Sequence, residues 1–143
     1  MYFIVNVEGA IFKDGRYLLI TRGAEETHAA GTLSLVGGKV EADASRNVLE
    51  ETLRREIQEE VGIEIKADLT YVESNSFVAD DGDRVVDVVF LCFYKSSTPT
   101  IADPGEVAAI HWMTPDEIRS HLQVPPWTRQ SIERAEHIRR ISE

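Results

Sequence analysis

Cysteine is almost missing from this sequence: the single Cys92 excludes an internal disulfide framework. No apolar stretch approaches the roughly 18 residues that span a bilayer. The opening Met1-Tyr2-Phe3-Ile4-Val5-Asn6-Val7-Glu8 also lacks the basic region of a signal peptide. A cytoplasmic protein with no membrane association is the resulting expectation. Positive charge is short as well. Lys plus Arg number 15 against 25 Asp plus Glu, a formal net charge of −10, which opposes attraction to phosphate backbones and disfavours a nucleic-acid-coating role. An acidic chain still handles polyanions when a divalent cation stands between its carboxylates and the phosphates, so metal-dependent phosphate chemistry stays open.

What is present suits one globular domain spanning residues 1–143, at 43% hydrophobic and 28% charged. No internal repeat, low-complexity tract or linker interrupts it. Tyr2 to Phe12 and Arg16 to Thr21 read as strands joined at Lys13-Asp14-Gly15, and Leu69 to Val78 and Arg84 to Tyr94 read as a second hairpin around Asp81-Gly82. Cys92 falls in the apolar run from Val88 to Tyr94, the setting of a buried strand thiol. Between the hairpins a helix is expected from Val48 to Val61, capped by Asn47 and stopped by Gly62. A short strand from Ala108 to Trp112 leads to Thr114-Pro115-Asp116-Glu117, a capping box opening a two-turn helix. Pro125 and Pro126 then break the chain, and Thr128 is expected to cap a last helix carrying Ile132, Ala135, Ile138 and Ile141 at three-residue steps. This order specifies an α/β (α+β) sandwich, a mixed sheet packed between helices.

The helix from Val48 carries its acids on the wrong face. At about 100° per residue from Glu56, Leu49 lies near +20°, Glu60 near +40°, Leu53 near +60° and Ile57 near +100°. Glu56 and Glu60 therefore overlap the apolar stripe, and no Lys or Arg stands three or four residues from either. Glu50 with Arg54 and Glu51 with Arg55, by contrast, have the spacing of ordinary i, i+4 pairs. Carboxylates at i, i+3 and i+4 (Glu56, Glu59, Glu60) supply hard oxygen ligands suited to Mg²⁺ or Mn²⁺; the bland alternative is a solvated charge run. Upstream, Leu35-Val36-Gly37-Gly38-Lys39-Val40-Glu41 reads as an apolar strand entering a Gly37-Gly38 turn that allows close approach of an ion or phosphate. Val40 after Lys39 excludes a P-loop.

Gly38, followed by Arg55-Glu56-Ile57-Gln58-Glu59-Glu60-Val61-Gly62-Ile63, resembles the signature box of the Nudix hydrolases. The second half of that pattern is matched at every specified position. The first half departs from it: Arg55 follows Gly38 by 17 positions, three more than the pattern, and Asn47 takes the place of the first Glu. The resemblance implies a Nudix-type α/β/α sandwich and a metal-dependent pyrophosphohydrolase cleaving the diphosphate linkage of a nucleoside triphosphate, nucleotide sugar or dinucleoside polyphosphate. It implies Glu56, Glu59, Glu60 and the Gly37 carbonyl as metal ligands, with Arg55 orienting the carboxylates. Glu56 and Glu106 are both left open as general base. Arg22 matches a position that presents a cation to phosphate, and Phe77 and Trp127 are candidates to stack on a base. The partner implied is a small-molecule nucleotide, with a homodimer left open. A Nudix-fold binding or regulatory module without catalysis is the alternative, and the intact glutamates argue against it. His28, His111, His121 and His137 show no metal-ligand spacing and read as structural or exposed.

Overall fold

The computed structural model describes residues 1–26, 29–43 and 45–142, and His28 and Ala44 lie outside them. The described residues form strands β1 (Ile4–Lys13), β2 (Arg16–Arg22), β3 (Leu33–Ser34), β4 (Val36–Lys39), β5 (Glu64–Ile65), β6 (Thr70–Val78), β7 (Arg84–Ser96) and β8 (Val107–Met113). Helices α1 (Val48–Val61), α2 (Pro115–Ser120) and α3 (Pro126–Ile141) complete the order. β1 is central: it runs parallel to β7, with Val7 opposite Val88 and Ala10 opposite Leu91. Its other side pairs antiparallel with β4 and, at its end, with β2. β8 adds to β2 and β6 to β7, both antiparallel, so the sheet is mixed.

Period-two alternation divides the core between the two faces. Val7, Ile11, Val88, Phe90 and Cys92 pack on Leu53, Ile57 and Val61 of α1. Ala10, Val89 and Leu91 pack on Ile118 of α2 and on Ile132 and Ala135 of α3. The α/β/α sandwich follows from these two apolar faces, and Cys92 is fully buried, its thiol pushed up to about 12 by desolvation. No helix among the described residues is long and apolar enough to cross a membrane.

Several local expectations are corrected. Gly37-Gly38 is not a turn but the middle of β4, with Gly37 opposite Glu8 and Gly38 opposite Val7. The glycines serve close approach here. A Cβ on Gly37 would come within 1.9 Å of the Val7 carbonyl oxygen, and one on Gly38 within 2.4 Å of the Glu56 carboxyl carbon. Asn47 occupies the N-cap position of α1 but adopts a left-handed conformation with no side-chain cap; its carbonyl accepts the Glu51 N–H at 2.9 Å. Asn is among the non-glycine residues that tolerate that region best. α3 begins two residues before Thr128, because Pro126 is pre-set for the first helical position and has no N–H to leave unpaired. Thr128 instead donates its hydroxyl to the Leu33 carbonyl. Ile141 is exposed, since each three-residue step drifts about 60° around a helix and the fourth position leaves the stripe. The expected Glu50–Arg54 and Glu51–Arg55 pairs are also replaced. Arg54 donates to the Lys66 and Ala67 carbonyls, tying α1 to the following loop, and Arg55 turns toward Glu56 and Glu59.

Candidate active site

α1 crosses β4 so that its off-phase acids meet the two glycines. Glu56 lies against Gly38, with only 18% of its side chain exposed, and Glu60 accepts a hydrogen bond from the Gly37 backbone N–H. A bulkier residue at 38 would displace the Glu56 carboxyl, and one at 37 would strike the β1 backbone. Among the described residues, Glu60 Oε2 is a buried side-chain oxygen with no hydrogen-bond partner. Burial, followed by the charges of Glu56, Glu106 and Glu26, pushes the Glu60 carboxyl up to about 8. Glu56 is also raised, chiefly by burial, against the lowering pull of Arg55 and with Glu59, Glu41 and Glu106 adding repulsion.

Arg55 stands 3.6 Å from Glu56 Oε1 and 3.8 Å from Glu59 Oε2, bracing both from outside. Glu59 is the most open of the three, with 58% of its side chain exposed. Glu106 reaches the site from the loop before β8, where its carbonyl accepts the Gly23 N–H. The same ladder of loop hydrogen bonds joins Glu25 to Gly105, which ties the end of β2 to the start of β8. Arg22, at that edge, is paired with Glu26 at 2.9 Å. Glu26 and Glu41 were not among the sequence candidates. Their proximity depends on where residues 23–26 and 41–43 run, which no periodicity encodes.

The described residues include no ready-made group of three or more acidic, His or Cys side chains closed around a point. The donor set nevertheless fits a hard divalent ion: carboxylate oxygens, one of them buried and unpartnered, with the Glu56 carboxyl seated against Gly38. A cation would offset the repulsion that the carboxylates impose on one another. His111, whose ring nitrogen lies 2.8 Å from the Thr21 hydroxyl, and His121, whose Nδ1 accepts the Gln123 N–H, are engaged structurally away from this group.

A second polar group was missed entirely. Asn6, Glu8 and Asp87 share the α3-side face of β1 and β7, where Asn6 Nδ2 donates to Asp87 Oδ1 at 2.9 Å. Burial, then Asp87, holds the Glu8 carboxyl well above the usual carboxylate range. The signal was the alternation itself, since Asn6 and Glu8 fall in phase with Ala10 on an inward-facing row. Phe77 and Trp127 are both exposed, Phe77 on β6 and Trp127 in the first turn of α3.

Comparison with known proteins bears on the fold and the family. The chain is similar to a MutT Nudix hydrolase from Burkholderia pseudomallei, at 29% identity over 94% of this chain and 98% of that one, with a TM-score of 0.79. A MutT protein from Methanosarcina mazei Go1 is 25% identical over 96% of this chain and 95% of that one, with a TM-score of 0.78. The Nudix domain of Shewanella oneidensis NrtR, solved with ADP ribose, shares the fold at 18% identity and a TM-score of 0.76, over 96% of this chain and 89% of that one. No curated protein matches the sequence. The family profile described as the NUDIX domain matches residues 4–135, and the chain therefore belongs to the Nudix family as a pyrophosphohydrolase.

Proposed function

We propose that this protein hydrolyses the diphosphate linkage of a nucleoside diphosphate derivative by attack of water at phosphorus, using Mg²⁺ or Mn²⁺ held by Glu56, Glu59, Glu60 and the Gly37 carbonyl. The observation that carries this reading is the buried, unpartnered Glu60 oxygen among like charges, an arrangement that costs stability unless a cation joins it. A bound divalent ion supplies Lewis-acid polarisation of phosphoryl oxygens and a more acidic water. The chain's own residues do the rest. Arg55 fixes the outer carboxylates through its two ion pairs, and Gly38, lacking a side chain, lets the Glu56 carboxyl sit against β4. In this reading Glu56 or Glu106, whose charges act on Glu60, accepts the proton of the attacking water. Arg22 contributes positive charge to the phosphate path while Glu26 holds it at the edge of β2. Residues 1–143 act as one domain in the cytoplasm, on a small nucleotide substrate.

Phosphate or pyrophosphate release from a panel of nucleoside triphosphates, nucleotide sugars including ADP-ribose, and dinucleoside polyphosphates tests the proposal. Release from at least one compound is expected with Mg²⁺ or Mn²⁺ and not in chelator, and it should vanish in Glu56→Gln. A folded protein that cleaves no member of the panel with either metal would support the alternative binding module.

A further inference from the structure

Gly23 and Gly105 owe nothing to backbone freedom, because neither stands in the left-handed region. Closeness is what they provide. A Cβ on Gly23 would lie 2.0 Å from the Gly105 carbonyl oxygen and 2.9 Å from the Glu106 carbonyl carbon. The two backbones therefore cross in direct contact, and hydrogen bonds fix the crossing. The Gly23 N–H donates to the Glu106 carbonyl at 2.7 Å, and the Glu25 N–H donates to the Gly105 carbonyl at 3.1 Å. From the other side Asp103 closes the turn: its carbonyl accepts from the Glu106 and Val107 N–H groups, and its Oδ1 accepts the Gly105 N–H at 2.9 Å. The β2–β8 register also shifts here. Thr21 faces Ala109 and Arg22 faces Val107, which leaves Ala108 as an extra residue on β8. Bulges of this kind re-aim side chains beside active sites.

What the crossing carries is Glu106. No side-chain hydrogen bond or ion pair among the described residues holds its carboxylate, so the backbone alone aims it. Its charge is felt at both Glu56 and Glu60. Arg22, on the facing strand, is secured separately: its N–H donates to the Thr32 carbonyl, its carbonyl accepts the Gly31 N–H and its guanidinium meets Glu26. We infer that Gly23 is a positioning residue: lacking a side chain, it lets the 103–106 turn seat against the end of β2, and that seating places Glu106 to take the proton of the attacking water. The inference rests on the hydrolase reading and selects Glu106 from its two candidate bases. Glu56 suits the role less, because its carboxyl is wedged against Gly38 and braced by Arg55, and a carboxylate held beside cations is a weaker base. In the step itself the water oxygen bonds phosphorus and its proton passes to a Glu106 oxygen. The bridging P–O bond breaks, and its electron pair leaves on the departing phosphate.

The two glycines differ in what an added methyl group would meet. Ordinary contact begins at 3.4 Å, so alanine at 23 must push the turn back by more than 1 Å. Alanine at 105 meets only the far end of the Glu25 side chain, which can swing aside. The experiment compares Gly23→Ala, Gly105→Ala, Glu106→Gln and the Gly23→Ala/Glu106→Gln double variant on a cleaved member of the panel at saturating metal. Gly23→Ala should lower kcat about a hundredfold and leave KM within about twofold. Gly105→Ala should stay within about threefold of wild type. The double variant should fall no more than about twofold below Glu106→Gln, because a base already removed cannot be misplaced. Asp103→Ala opens the same turn without crowding β2, and should repeat the pattern at about tenfold. Equal losses with and without Glu106, the mark of a merely structural role, would overturn the inference, as would an unchanged kcat in Gly23→Ala. An unchanged kcat in Glu106→Gln would overturn it too, while wild-type hydrolysis left the metal-site reading standing. Amide hydrogen exchange in chelator reads the crossing without turnover: the amides of residues 23 and 25 should exchange at least about tenfold faster in Gly23→Ala and keep their protection in Gly105→Ala. Equal exchange in all three proteins would refute the seating, whether or not any member of the panel is cleaved.

Discussion

Glu60 is placed where its ionised form is least welcome, between the backbone of β4 and the carboxylates of Glu56, Glu106 and Glu26. One oxygen takes the Gly37 N–H and the other takes nothing among the described residues. Glu60→Gln keeps the side-chain volume and removes the charge. The metal-free variant should therefore hold its melting temperature or gain a few degrees, corresponding to about 1–2 kcal/mol. Turnover should fall by at least about a hundredfold at saturating Mg²⁺. Calorimetry in chelator and steady-state hydrolysis check the two halves, and near-wild-type turnover would remove Glu60 from the ligand set. This residue was legible from the helical wheel alone, because acids on an apolar stripe are a contradiction visible at 100° per residue. Asp87 was not. Its burial depends on β1 and β7 pairing in parallel across 81 positions of sequence, and no local period reports a partner at that distance.

At the scale of elements, β4 carries two glycines with different obligations, Gly37 toward β1 and Gly38 toward the Glu56 side chain of α1. A methyl group on Gly37 would strike backbone, the Val7 carbonyl at 1.9 Å, and β1 would have to shift. On Gly38 it would strike the far end of the Glu56 side chain, which can swing aside. Gly38→Ala should thus lose about 1 kcal/mol or less yet lose most turnover, whereas Gly37→Ala should cost several times as much stability. Urea titrations of both variants beside their hydrolysis rates decide it; equal destabilisation would contradict the assignment. α3 is fastened by a different device: Glu136 accepts from the Tyr17 hydroxyl of β2 and from Arg139 and Arg140 of its own helix, each at 2.8 Å. Those bonds, Arg139 foremost, lower its carboxyl to about 2. A lowered carboxyl contributes stability above its unfolded value of 4.5, lost as pH falls toward 2. The stability difference between wild type and Glu136→Gln should be about 2 kcal/mol at pH 7 and shrink toward zero between pH 4.5 and 2, as urea midpoints will show. The ends of α1 and the capping box of α2 were readable because Gly62 and Thr114-Pro115 act within a turn. β3, β4 and β5, at two to four residues, carry too few side chains for alternation to show, and each exists only through its neighbour in the sheet.

The whole molecule holds ten more acids than bases, and much of that excess converges where the loops of β2, β4 and β8 meet α1. Self-repulsion of this kind works against the compact state, and the unfolded chain escapes it by separating the carboxylates. A divalent cation at Glu56, Glu59 and Glu60 reverses the balance, since it binds the assembled site and not the dispersed side chains. Mass action then gives about 2.7 kcal/mol at a metal concentration one hundred times the dissociation constant, or a melting temperature higher by about 5–10 °C for a domain of this size. Ordinary screening of the net charge would also stabilise, so the comparison must be made against KCl at matched ionic strength. Mg²⁺ or Mn²⁺ should raise the midpoint well beyond KCl, with a dose dependence that saturates, and in Glu56→Gln/Glu60→Gln the metal and KCl curves should coincide. If the wild type melts identically in saturating Mg²⁺ and in matched KCl, the convergence of acids is a cost the fold carries without a cation, and the metal site on α1 is withdrawn.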